Sequence, residues 1–79
     1  MTTYRIAGID VHKKMLAVVV LDAAEEGEWR LHRRKFLTTA EELDGLAVWL
    51  AWLEVREVVM ESTAQYWKPV WRVLEPQWS

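Results

Sequence analysis

Two short apolar runs, Tyr4 to Asp10 and Glu57 to Glu61, each close on a carboxylate, and a segment of helical spacing lies between them. Strand, helix and strand in that order imply a right-handed crossover, which leaves the last strand parallel to an earlier one. The chain is therefore expected to be α/β with a mixed sheet. Thr39-Ala40-Glu41-Glu42 fits a capping box, in which the Thr hydroxyl and the Glu three residues on satisfy orphan amides at a helix start. The spacing predicts a helix from about Ala40 to about Leu53, with Leu43, Leu46, Ala47, Leu50 and Leu53 on one stripe facing the sheet.

The remaining elements follow from apolar runs and turn chemistry. Tyr4–Asp10 and Met15–Asp22 read as a hairpin joined by Val11 to Lys14. Asp22 to Gly27 is a polar turn, and Glu28 to Phe36 alternates imperfectly and carries charge, as an edge strand does to discourage further pairing. After the fourth strand, Pro69 fits the first turn of a second helix, which Val70, Trp71, Val73 and Leu74 continue until Pro76 stops it. The expected order is β-β-β-α-β-α, with four strands where a finished α/β domain usually continues.

Seventy-nine residues make one domain, and a chain this short buries only roughly 60–65% of the surface its unfolded form exposes. Without cysteine there is no disulfide staple, zinc-thiolate site or thiol catalysis. The amino terminus lacks the pattern of a signal peptide. The longest apolar run, Met15 to Leu21, is far shorter than the ~20 residues of a spanning helix. A soluble, cytoplasmic chain with no membrane partner is expected. A net charge of −2 gives no global pull toward nucleic acid, but Lys13 and Lys14, and Arg30, Arg33, Arg34 and Lys35, form local basic clusters. Their plainer reading is a solvated strand face; the sharper one is contact with phosphates.

Asp10 and Glu61 are the candidate metal ligands. On neighbouring parallel strands both would emerge at the carboxyl edge, where open α/β sheets bind ligands. Two bare carboxylates side by side repel, so the arrangement makes most sense with a cation between them. Spacing alone leaves a second reading open, in which Asp10 starts a turn and Glu61 is a solvated strand end. His12, in a turn beside two lysines, reads as a surface residue. Ser62 and Thr63 have no nameable base partner and read as caps of the second helix. Gly8, Gly27 and Gly45 are too scattered for a phosphate loop. The six tryptophans invite a base-stacking reading, yet Trp49/Trp52 and Trp67/Trp71 have helical spacing and fit partial burial or an interface better.

Taken together, Gly8-Ile9-Asp10-Val11-His12-Lys13, Phe36 to Thr39 leading into the Leu-rich helix, Met60-Glu61-Ser62-Thr63 and Tyr66-Trp67-Lys68-Pro69-Val70-Trp71 resemble the amino-terminal part of a DEDD-type insertion-sequence transposase. The resemblance covers nearly the whole chain and implies a partial RuvC-like domain of the ribonuclease H fold over residues 1–79. It implies that Asp10 and Glu61 are the first two catalytic acids and hold Mg²⁺, two ions in the complete domain. The family's two later Asp residues and its serine-bearing carboxyl-terminal domain have no counterpart here, and Ser79 matches nothing in that region. Implied partners are DNA, a guide RNA for the complete protein, and self-association or the missing domains. One departure lies at Ala64-Gln65, where many relatives have Gly followed by an apolar residue.

By this resemblance the function is metal-dependent cleavage and joining of DNA in transposition, with the isolated chain expected to be inactive. Two alternatives differ in class. A sugar-kinase or actin-like ATPase fragment also begins with an apolar strand ending Gly-Ile-Asp, but Val11-His12-Lys13 puts bulk and charge where those proteins carry a glycine-containing phosphate turn. The other alternative is a non-catalytic interaction protein that modulates a full-length transposase.

Overall fold

The computed structural model describes residues 4–23, 29–62 and 64–78. Most of the expected polar turn, together with Thr63 and Ser79, lies outside them. Six elements follow one another as β1 (Tyr4–Val11), β2 (Met15–Ala23), β3 (Trp29–Leu37), α1 (Ala40–Trp52), β4 (Glu57–Ser62) and α2 (Trp67–Trp78). The sheet order is β3-β2-β1-β4. β2 lies antiparallel to both β1 and β3, whereas β4 runs parallel to β1. Both the mixed sheet and the expected element order are present. β3 is an edge strand, where its charged residues can reach water without leaving a ladder.

Strand alternation sends one set of side chains to the helices. Ala7, Ile9 and Val11 of β1 and Leu16, Val18 and Val20 of β2 point to the same side and are buried with Phe36 of β3. α1 covers them with Leu43, Leu46, Ala47 and Leu50, and α2 adds Val70 and Leu74. The single core thus sits between one sheet face and two helices. Trp49 extends it over the edge strand, its ring 5.8 Å from that of Phe36, and the Arg34 guanidinium lies 4.8 Å from the Phe36 ring centre.

Local chemistry sets the ends of α1. Thr39 Oγ1 accepts from the Glu42 amide at 3.3 Å, which is one arm of the expected capping box. The other arm is displaced: Glu42 Oε1 accepts from the Leu37 amide, also at 3.3 Å, and so ties the helix start to the end of β3. Thr39→Ala should lower stability by about 1 kcal/mol, read as a shift in urea midpoint. At the other end, Glu54 donates to Ala51 O at 3.0 Å and Val55 to Leu50 O at 3.1 Å. That pair of bonds is a Schellman motif, which requires a left-handed residue just after the cap. Glu54 fills that position with φ 57°, where a side chain costs roughly 1–2 kcal/mol that glycine avoids. Glu54→Gly is therefore expected to raise the urea midpoint, because Glu54 is exposed and loses little else.

A buried ion pair braces the far end of the sheet. Arg5 and Asp22 face each other across the β1–β2 ladder, with Nε 3.1 Å from Oδ2. The Arg5 guanidinium also donates to Leu53 O at the end of α1. Asp22, expected where the second strand closes and the polar turn opens, is buried in β2 at 4% exposure, because the strand runs on past it to Ala23. Asp22→Ala should cost about 1–3 kcal/mol by leaving a partly buried guanidinium with one partner fewer, and an equal melting midpoint for variant and parent would refute this brace.

The second helix begins at Trp67, which leaves Pro69 in its first turn as expected, but Pro76, expected to stop it, lies inside it. Proline removes one amide and crowds the carbonyl four residues back, here that of Arg72. Arg72, Glu75, Pro76 and Gln77 are all exposed, so water can serve the freed carbonyl. Trp78 also pins the last turn, its Nε1 donating to Val55 O at 2.7 Å. Ser62, expected as a cap, belongs instead to β4, and its strand ends before the helix begins.

Candidate metal centre at the sheet edge

β1 and β4 are parallel neighbours, and their register pairs Asp10 with Glu61. Parallel strands lie about 4.8 Å apart, so the two carboxylates project side by side. Strand parity sends both to the sheet face opposite the helices, and both are exposed there. They line a shallow depression of about 400 Å³ with Gly8, Ala17, Val19 and Val59. Small residues make this hollow: a Cβ added to Gly8 would meet nothing within 4 Å. The structure therefore brings together the two acids singled out in the sequence.

His12 has a closer role than a surface turn residue. Its side chain is half exposed, as expected, but Nε2 lies 3.1 Å from Asp10 Oδ2. The cause is strand parity continued by one step, since residues two apart leave on one face. That signal was legible in the Asp10-Val11-His12 spacing. Among the described residues, no three His, Asp or Glu side chains converge in a cluster able to hold a metal ion.

The expected basic patch divides. Lys13 and Lys14 lie exposed in the β1–β2 turn, which Thr38 clasps through bonds from its hydroxyl to Lys13 O and from its amide to Lys14 O, each 3.2 Å. Lys35 pairs with Ala17, which pairs with Asp10, so Lys35 stands on the same face and in the same row as the two acids. Arg33 lies one step down that face, beside Val19. Arg30 and Arg34 have the opposite parity and belong to the helix side, where Arg34 stacks on Phe36 and Trp49. Of the β3 cluster, only Arg33 and Lys35 share a face with the acids.

The loop after Glu61 also explains one departure from the resemblance. Ala64 has φ 55°, in the left-handed region that glycine occupies at little cost. The alanine thus adopts the conformation a glycine would favour there.

The tryptophans sort by position. Trp49 and Trp78 are half-buried against the core, whereas Trp52 is 76% exposed and Trp67 and Trp71 lie at 37% and 39%. The last two border a second hollow beside β4 with Val58 and Met60. No helix among the described residues is long and apolar enough to cross a membrane.

Comparison with known proteins bears on the fold and on the family. Three Ppx/GppA structures from Aquifex aeolicus share the fold. They are a family member at 12% identity and TM-score 0.63, a PPX-GPPA enzyme at 13% and 0.61, and the type II variant of the phosphatase at 12% and 0.54. They cover 96%, 94% and 91% of this chain but only 33%, 32% and 31% of their own. The chain spans about a third of their length, and at such identity the likeness bears on the fold alone. Among curated proteins nothing matches the sequence. A family model described as transposase, that of the IS110-type DEDD transposases, matches residues 7–77. That match runs from the middle of β1 to the end of α2, and the chain belongs to the IS110-type DEDD transposase family.

Proposed function

We propose that this chain supplies the amino-terminal part of a ribonuclease H-like, RuvC-type catalytic domain, in which Asp10 and Glu61 hold Mg²⁺ for phosphodiester cleavage and strand transfer in DNA. The observation that carries this reading is the pairing of Asp10 with Glu61 on parallel strands at one open edge. The donors suit the ion. Mg²⁺ prefers hard oxygen ligands, keeps several waters, and is commonly held by one or two carboxylates together with substrate phosphates.

A divalent ion held by Asp10 and Glu61 would supply Lewis-acid stabilisation of the charge that develops on the phosphoryl oxygens. The chain's own residues do the rest. Asp10 and Glu61 present adjacent carboxylates on a rigid sheet, and His12 orients Asp10 through its 3.1 Å contact. Lys13 and Lys14 project from the turn that follows Asp10, and Arg33 and Lys35 stand on the same face. These cations attract the DNA backbone near the acids, while Arg30 and Arg34 are set for contacts on the helix side. Guide RNA and further domains belong to the reading of the complete protein.

The test is Mn²⁺ titration followed by NMR line broadening. Amides around Asp10, His12 and Glu61 should broaden first, and Asp10→Asn should abolish the effect. Broadening centred elsewhere, or unchanged in the variant, would remove the metal reading.

A further inference from the structure

α2 carries two rows of side chains that the core does not use. Val70 and Leu74 are buried against the sheet. Trp67 and Trp71, four residues apart and so neighbours on one face, flank that stripe at 37% and 39% exposure. A step of about 100° per residue puts Lys68 and Arg72 beside the two indoles on the solvent side, and both are exposed. Lys68 Nζ donates to Gln65 Oε1 at 3.0 Å, and among the described residues no carboxylate pairs with Lys68 or Arg72. Between the indoles and β4 lies a hollow of about 450 Å³, lined by Val58, Met60, Ser62, Ala64, Trp67 and Trp71.

The hollow opens next to the two acids. α2 runs back along β4, because Trp78 near its end bonds Val55 O just before that strand begins. Trp67 therefore stands at the carboxyl end of β4. Glu61 and Ser62 are successive residues there, and strand alternation sends the first to the open face and the second to the hollow. A nucleic-acid strand crossing the end of β4 meets both. We propose that this hollow holds an unpaired base of the DNA strand beside the point of cleavage, stacked on Trp67 and Trp71, with Lys68 and Arg72 on its phosphates.

The chemistry selects this ligand. Exposed indoles stack on any base, because every base has a π-face. In a duplex both faces of a base are covered by its neighbours, so only an unpaired base can offer one. An apolar protein segment would fill the hollow without using Lys68 or Arg72, whereas phosphates use both. Glu75, the remaining charge of α2, lies a turn beyond Trp71 and away from the acids. The choice of DNA rests on the reading of Asp10 and Glu61 as the cleavage site; the stacking itself does not.

Titration with a short thymine oligodeoxynucleotide in EDTA, followed by NMR through the indole N–H resonances, reads the stacking without any metal. The indoles of Trp67 and Trp71 should move, and those of Trp49 and Trp78 should stay. An abasic strand of equal length, which keeps the charge and lacks the bases, should bind on the order of tenfold more weakly. A duplex should leave the two indoles unmoved. Trp71→Leu keeps apolar packing and should lose affinity to a similar extent, whereas Trp71→Phe should retain most of it. Lys68→Ala and Arg72→Ala should each flatten the salt slope by about 0.7. Circular dichroism verifies that every variant remains folded. Equal affinity for the abasic and thymine strands, Trp71→Leu equal to the parent, or shifts confined to other indoles would overturn the proposal. No shift with any strand would leave the hollow to an apolar protein segment and overturn it as well. An RNA of matching sequence bound on the order of tenfold more tightly than the DNA would overturn the choice of DNA. Because metal is absent throughout, failure here and failure of the Mn²⁺ titration at Asp10 and Glu61 are separate results.

Discussion

Leu46→Ala is expected to remove half or more of the chain's stability. Leu46 is fully buried at the centre of the α1 stripe and belongs to the core between the sheet and the helices. Truncating such a leucine costs about 2–5 kcal/mol, the lost transfer energy plus the cavity left behind. A chain of this size has only roughly 4–12 kcal/mol in total, and here a single sheet face is covered, which favours the low end. The urea midpoint should therefore fall steeply, with much of the variant unfolded without denaturant. Val48→Ala on the same helix is the control, since Val48 is 68% exposed and should change stability by less than about 0.5 kcal/mol. Equal midpoints for Leu46→Ala and the parent would mean that α1 does not rest on the sheet by this stripe.

The second large effect concerns catalysis. The purified chain should leave supercoiled and branched DNA intact in millimolar Mg²⁺ or Mn²⁺. Two carboxylates with a combined charge of about −2 cannot hold two divalent ions at the separation of roughly 4 Å that two-metal phosphoryl transfer uses. Misplacement of a catalytic group by even ~1 Å can cost on the order of 100-fold in rate. DNA binding should remain measurable but weak, and should fall steeply with salt, because it rests on the few cations near the acids. Lys13→Ala with Lys14→Ala should reduce it and flatten the salt slope. Metal-dependent nicking by the parent that Asp10→Asn loses would show a competent site and overturn this expectation.

Much of this protein was legible in its residues. Apolar runs of strand length, the Thr39 cap and the leucine stripe led to the correct element order, because each depends on neighbours within a few positions. Strand–helix–strand order also led to the parallel pairing of β1 and β4, since crossover handedness leaves little choice. The placement of Asp10 beside Glu61 followed from it. Pro76 breaks helices by local chemistry, yet α2 runs through it, because its tolerance comes from the Trp78 bond to Val55 and from solvent around Arg72.

What only the tertiary structure decided are the matters of register. Whether Asp22 ends in a turn or meets Arg5 in the sheet depends on how far two strands pair. Which basic residues share a face with the acids depends on the β2–β3 alignment, where a shift of one residue would exchange Arg33 and Lys35 for Arg30 and Arg34. The row from Glu61 to Lys35 is written nowhere in the sequence order, because it joins four strands whose relative heights are set by hydrogen-bond ladders and core packing together. Local chemistry chose the elements; long-range pairing chose which side chains stand beside one another.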